Sequence, residues 1–246
     1  MNNKAKTRQL VITAMLGAIT IVLGLTPLGF IPLGFINITT MHIPVIIGAI
    51  LEGPVVGGVV GLLFGLSSML NAALRPTPIS FVFLNPLIAV VPRVLIGIVP
   101  AYVYKALKSK NNSLIRKITM IIWVLVSVFL ISLLYKNISG NKQTYQIVLS
   151  IVFLGISLLM LYLTTKHKDN NFAVAISSFI GSMTNSILVL GLIYLLYAEK
   201  YVTSLSIPVE AARSTIFGAI ITNGVPEGIL SIVIVSAVVK AMKRKI

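Results

Sequence analysis

The stretch FVFLNPLIAVVPRVLIG, residues 81–97, places one guanidinium inside an otherwise apolar run. Asn85 and Pro86 open the run, and Pro92 directly precedes the charge at Arg93. If the run is a helix that enters a bilayer near Pro86, Arg93 lies about 10 Å deep at a rise of ~1.5 Å per residue. A charge near the bilayer centre costs roughly 2.5–3.5 kcal/mol on insertion scales. A cavity or a partner lowers that cost. The run therefore predicts a helix bundle with a polar interior.

The rest of the chain supports a membrane setting. Of its 246 residues, 57% are hydrophobic and 10% are charged, and the mean hydropathy is +1.02. Soluble domains are about 25% charged. Apolar runs near the ~20 residues needed to cross a bilayer recur along the sequence. No long polar segment separates them, so a single membrane domain over 1–246 is expected, with no soluble catalytic domain. The lack of cysteine excludes disulfides, zinc–thiolate sites and thiol nucleophiles. The net charge of +15 could suggest nucleic acid. However, the basic residues gather at the ends of apolar runs, which is how charge orients a membrane protein. Lys4, Lys6 and Arg8 precede the run from Leu10 to Leu25. That run is too long for a signal-peptide core, and no small-x-small cleavage site follows, so it reads as a first span.

Helices are expected over 8–26, 41–51, 54–71, 86–105, 172–197 and 212–239. Between the first two lies TPLGFIPLGFINITT, residues 26–40, with two Pro and two Gly. It reads as a lid or re-entrant loop lining a cavity. Gly57, Gly61 and Gly65 recur at spacing four and form a face suited to close helix approach. Two more apolar runs, 117–135 and 144–165, are joined by a polar turn with Asn137, Gly140 and Asn141. They lack the Gly and Pro content and the buried polar residues of their neighbours. They read as a peripheral hairpin inserted over 111–168, between core helices in 8–110 and 170–240. With the N-terminus inside, fourteen Lys and Arg fall at inner ends. Five fall outside (Arg75, Lys136, Lys142, Lys200, Arg213), and Arg93 completes the twenty. This asymmetry predicts that both termini are cytoplasmic.

A second charge sits inside the last run, where Glu227 follows Pro226. Ala219, Asn223, Glu227 and Ser231 are spaced by four, so they share a helix face that lipid cannot satisfy. Arg93 then has two readings. It pairs with Glu227 as a purely structural element, or it awaits an anionic ligand. The two are compatible, because a guanidinium has five donors. Asn185, with Ser177 and Gly181 on its face, serves an interhelical hydrogen bond or a ligand. His42 is a structural donor or a ligand contact, and Asn71 and Arg75 flank the loop 72–85. No H-E-x-x-H, G-x-S-x-G or Walker A sequence is present. Only five acids exist, too few for a proton relay through the membrane. The chain thus has a polar pocket and no motor of its own. No enzymatic activity, cofactor or metal is expected.

These segments together resemble the substrate-binding S-components of energy-coupling factor (ECF) transporters. The resemblance rests on Ala14-x-x-x-Ala18 in the first helix, on TMHIPVIIGAILEGPVVGGVVGLLFGLSSML (40–70) and on FVFLNPLIAVVPRVLIG. GSMTNSILVLGLIYLLYA (181–198) and ITNGVPEGILSIVIVSAVVKA (221–241) look most like the pantothenate-specific branch. It implies an all-α integral membrane fold, a six-helix S-component-like bundle plus the inserted two-helix hairpin. It also implies capture of a vitamin, with Arg93 taking the carboxylate and Asn85, Asn185, Asn223, Glu227 and His42 contributing to the site. Ala14 and Ala18 would meet a coupling subunit that works with two ATPase subunits in the cell membrane. Two alternatives stay open: an S-component for another vitamin or small metabolite, and an autonomous carrier or channel.

Overall fold

The computed structural model describes residues 3–33, 36–108, 112–140, 144–166 and 172–243. Lys110, Asn141, Lys142, Lys168, Asp169, Arg244 and Lys245 lie outside them. In chain order the elements are α1 (Asn3–Leu25), β1 (Phe30–Leu33), β2 (Ile36–Thr39), α2 (His42–Glu52), α3 (Pro54–Leu74), α4 (Pro86–Ala89), α5 (Val91–Lys108), α6 (Asn112–Ser139), α7 (Thr144–Lys166), α8 (Phe172–Ser204) and α9 (Ala212–Lys243). Among the described residues, seven helical segments are long and apolar enough to cross a membrane. The protein is an all-α membrane bundle with one small exception.

That exception is the segment read as a lid or re-entrant loop. It begins with a 3-10 turn at Pro27–Gly29 and continues as an antiparallel β hairpin that pairs Phe30 with Thr39 and Leu33 with Ile36. The Thr40 N–H donates to the Gly29 carbonyl at 3.1 Å, and the Thr40 hydroxyl donates to the Leu28 carbonyl at 2.8 Å. Pairing satisfies backbone groups that a re-entrant coil would leave bare in an apolar setting.

The core is built around α2. At 11 residues it is about 16 Å long, half a bilayer. Every residue from His42 to Ile50 is buried, as befits a helix that is apolar all round. Residues from α3, α5, α8 and α9 pack on it, including Val60, Phe64, Ile96, Val174 and Val235. The α3 glycines do what their spacing predicts. A Cβ at Gly57 or Gly61 would overlap the backbone carbonyl of Gly97 or Arg93, and one at Gly65 would come within 2.8 Å of the Ala89 carbonyl. Backbone therefore meets backbone along the α3–α5 seam. A half-exposed ion pair, Arg8 to Glu52 at 3.0 Å, ties the start of α1 to the α2–α3 junction.

The α6–α7 hairpin packs on α8 and α9 through Trp123, Val126, Leu130, Phe153, Ile229 and Ile232. Two expectations about it need correction. Asn137 is not in a turn, because α6 continues to Ser139 and buries it. Nor does the hairpin lack buried polar residues. Ser127 and Ser157 share a hydrogen bond of 2.8 Å across it, and Asn137 donates to the Ser150 hydroxyl at 2.9 Å. Pairing across the two helices removes the cost that would otherwise push such groups to the surface.

Candidate substrate site

Arg93 is placed by a missing hydrogen. Pro92 lies in the first turn of α5 and has no N–H to donate to the Ile88 carbonyl, four residues back. Arg93 Nη1 donates to that carbonyl instead, at 2.6 Å. The guanidinium is sandwiched between aromatic rings, with Cζ 5.2 Å from the centroids of both Phe64 and Phe83. Ring faces carry the negative end of a quadrupole, so they stabilise a desolvated cation. Arg93 is buried, yet its Nε has no hydrogen-bond partner among the described residues.

The direct ion pair with Glu227, one of the two readings of Arg93, is not formed. The two groups couple electrostatically but do not reach ion-pairing distance. Glu227 is buried on α9 and has other partners. One carboxylate oxygen accepts the Thr39 N–H at 2.7 Å, and the other is 3.4 Å from the Ser186 hydroxyl. Glu227 thus brings β2, α8 and α9 to one level. His42 lies beside the Thr39 backbone, and Asn185 is the residue before Ser186 on α8.

Several polar groups here are buried and unsatisfied among the described residues: Asn185 Oδ1, Ser182 Oγ, Ser68 Oγ and both nitrogens of His42, which lies beside the Thr39 backbone. Buried polar atoms are normally hydrogen-bonded, and an orphan costs about 1–3 kcal/mol. These orphans are carried by α2, α3, α5 and α8, helices that form the core of the bundle. Asn223 is half-buried on α9. Asn85 is already engaged: Oδ1 accepts the Leu87 N–H at 3.0 Å as an N-cap of α4, and Nδ2 donates to the Tyr197 hydroxyl at 3.2 Å. Tyr197 marks a break in α8, with a non-helical φ of −143°. Arg75 is exposed at the end of α3.

Sequence reasoning missed Phe64, Phe83, Ser68, Ser182, Ser186 and Thr39. Ser182 and Ser186 carried a signal, since they flank Asn185 at i−3 and i+1 on the same inward part of α8. Phe64 and Phe83 carried none, because an aromatic in an apolar run is ordinarily core.

Ala14 and Ala18 are exposed on α1, whereas Gly17, Thr20 and Gly24 on its other face are buried. Gly17 lies against Leu63, and Gly24 against Met41 and Ser67.

The fold is that of a multi-pass helical membrane protein whose core buries one arginine and one glutamate. A family model described as the substrate-specific component of ECF transporters matches residues 8–154. The chain belongs to that family and is the substrate-specific membrane component of an ECF transporter. It is similar to the pantothenic acid transporter PanT of Lactococcus lactis subsp. cremoris (strain MG1363), 25% identical over 221 residues that cover 84% of this chain and 78% of that protein.

Proposed function

We propose that the protein captures pantothenate for uptake across the cell membrane, with its substrate carboxylate on Arg93. The observation that carries this reading is a deeply buried guanidinium that is boxed by two aromatic rings and has no carboxylate paired to it among the described residues. A planar fork of donors suits a carboxylate. Asn185, His42 and Asn223 would serve the amide and hydroxyl groups of the ligand. Glu227 would offer its second oxygen. Asn85 would shape the entrance through its cap and its bond to Tyr197. The relative's name supports the choice of vitamin.

The deciding experiment is calorimetric titration of the purified protein with pantothenate and with its neutral alcohol, pantothenol. The acid should bind at least tenfold tighter. Equal affinity would sink the carboxylate role, and no binding of either would sink the choice of vitamin.

Transport would require a coupling subunit and two ATPase subunits, because the sequence carries no Walker A motif. Ala14 and Ala18 would form part of the docking face, their small side chains permitting close approach. Ala14→Trp and Ala18→Trp should abolish pull-down of the coupling module and leave ligand affinity unchanged. Pull-down unaffected by both would remove α1 from the interface. If α2 counts as a crossing, both termini lie on one side. The Arg8–Glu52 pair supports this, since it sets the start of α1 beside the end of α2. The charge asymmetry puts that side in the cytoplasm.

A further inference from the structure

We propose that Glu227 is the catch of the β1–β2 hairpin, a positioning residue that holds the flap against the site through the Thr39 backbone and shares its carboxylate with the bound molecule. The proposal rests on the reading of the site given above only for its ligand arm. Thr39 ends β2, and its N–H is directed to the Glu227 carboxylate at 2.7 Å, linking residues 188 positions apart. Among the described residues, the other hydrogen bonds of this segment stay within it or its immediate flanks: Gly29 to Thr26, Thr40 to Gly29, Thr40 to Leu28 and Ile43 to Thr40. Among the described residues, the segment is therefore stapled to itself and tied to α9 through Thr39.

That tie is unusual in two respects. The acceptor is a carboxylate that is only 4% exposed. Among the described residues it also has no cation within ion-pairing distance, and the basic side chain coupled to it, Arg93, is held by the Ile88 carbonyl. A carboxylate offers about four acceptor sites. Here one is filled by the short bond from the Thr39 N–H and a second by a long one of 3.4 Å from Ser186, and the Thr39 side chain also bonds to the carboxylate. The remaining capacity suits a ligand hydroxyl or amide N–H. A small molecule that donates to the second oxygen would lie directly behind the closed flap. Its escape would then require the Thr39–Glu227 bond to open first. The catch acts on the rate of release rather than on the encounter.

Two readouts test this. The first needs no ligand: hydrogen–deuterium exchange of the peptide spanning residues 28–40. Glu227→Leu should speed exchange there about tenfold or more, because the flap loses its tie and opens locally. Glu227→Gln keeps an acceptor oxygen and should stay close to the wild type. The second is dissociation of radiolabelled pantothenate. A charge-assisted hydrogen bond is worth about one to two decades in rate when the barrier is its opening. Glu227→Leu should raise the dissociation rate by that factor and leave the association rate within about threefold. Thr39→Pro approaches the same bond from the other side. It deletes the donor at a strand position whose N–H faces away from the ladder. It should also speed release, though less than Glu227→Leu, which in addition loses the ligand contact, and the double variant should release no faster than Glu227→Leu alone. Unchanged exchange in Glu227→Leu, or additive effects in the double variant, would overturn the catch. If Glu227→Leu does not fold, Thr39→Pro decides: unchanged exchange and release in that variant overturn the proposal. Failure of the wild type to bind pantothenate would overturn the choice of vitamin and leave the exchange result to stand or fall by itself.

Discussion

The α6–α7 hairpin and the α2–α3–α5–α8–α9 core bury hydroxyls and amides of the same kinds, but among the described residues only the core leaves any of them without a partner. In the hairpin every buried hydroxyl or amide named here has a partner. Ser127 meets Ser157, Asn137 meets Ser150, and Thr119 and Thr164 donate to carbonyls one turn back. In the core, Asn185 Oδ1, Ser182 and Ser68 are left open, while Ser67, Ser177 and Ser178 donate to carbonyls as the hairpin hydroxyls do. The same chain under the same solvent constraint closes its hydrogen bonds in one place and leaves them open in another. Satisfied groups hold helices together, and unsatisfied ones hold a place for something that arrives later. The contrast is sharper than composition alone, since the hairpin is as rich in buried serine as the site.

Three substitutions put this contrast at risk. The largest effect is expected at Arg93. Arg93→Ala removes a charged donor worth roughly 1.5–3 kcal/mol, or about one to two decades in affinity for pantothenate. The loss should fall on the acid alone, so titration should show acid and alcohol bound equally. A variant that still prefers the acid would show that the carboxylate is read elsewhere.

Asn185→Leu comes next and carries two signs. It replaces an unsatisfied amide by an apolar side chain of similar size, so the ligand-free protein should gain about 1 kcal/mol. That corresponds to a Tm about 2–4 °C higher by thermal melt. Affinity should fall about tenfold in the same preparation. A lower Tm with intact affinity would place Asn185 with the hairpin serines as structural glue.

The smallest effect belongs to Ser127→Ala. It leaves Ser157 without its interhelical partner, a change worth about 0.6 kcal/mol in measured membrane cases. Tm should drop by about 1–2 °C while affinity and release rate stay fixed. A change in binding would mean that the hairpin shapes the site through α8 or α9.

What the sequence disclosed follows the same physics. Arg93 and Glu227 were legible because a charge inside an apolar run must be explained wherever it lies. The α3 glycine face was legible because its spacing is a property of one helix. The aromatic box was not, since Phe64 and Phe83 are 19 residues apart in sequence and meet Arg93 only through tertiary packing. The Arg93–Glu227 pairing looked natural because no other intramembrane carboxylate was available. It is not formed: the Ile88 carbonyl holds Arg93, and Glu227 takes the Thr39 N–H. The β hairpin was obscured by Pro32, which counts against a strand. Gly34-Phe35 between the two strands is a two-residue turn signal that could have revealed it. Asn137 was read into a turn because Asn-Ile-Ser-Gly looks like one. A partner such as Ser150 across a helix pair leaves no trace in local sequence.

The proline before Arg93 has a thermodynamic consequence. A free arginine side chain carries about 2 kcal/mol of rotamer entropy, which an ordinary surface arginine loses at the moment it clamps a ligand. Here one nitrogen is pinned to the Ile88 carbonyl and the plane lies between Phe64 and Phe83. The ordering is complete when the protein folds, so the remaining donors already point along fixed directions when a ligand reaches them. A residue with an N–H at position 92 would reclaim the Ile88 carbonyl for the helix and release the guanidinium into its rotamers. The binding penalty would then return at a position that never touches the substrate.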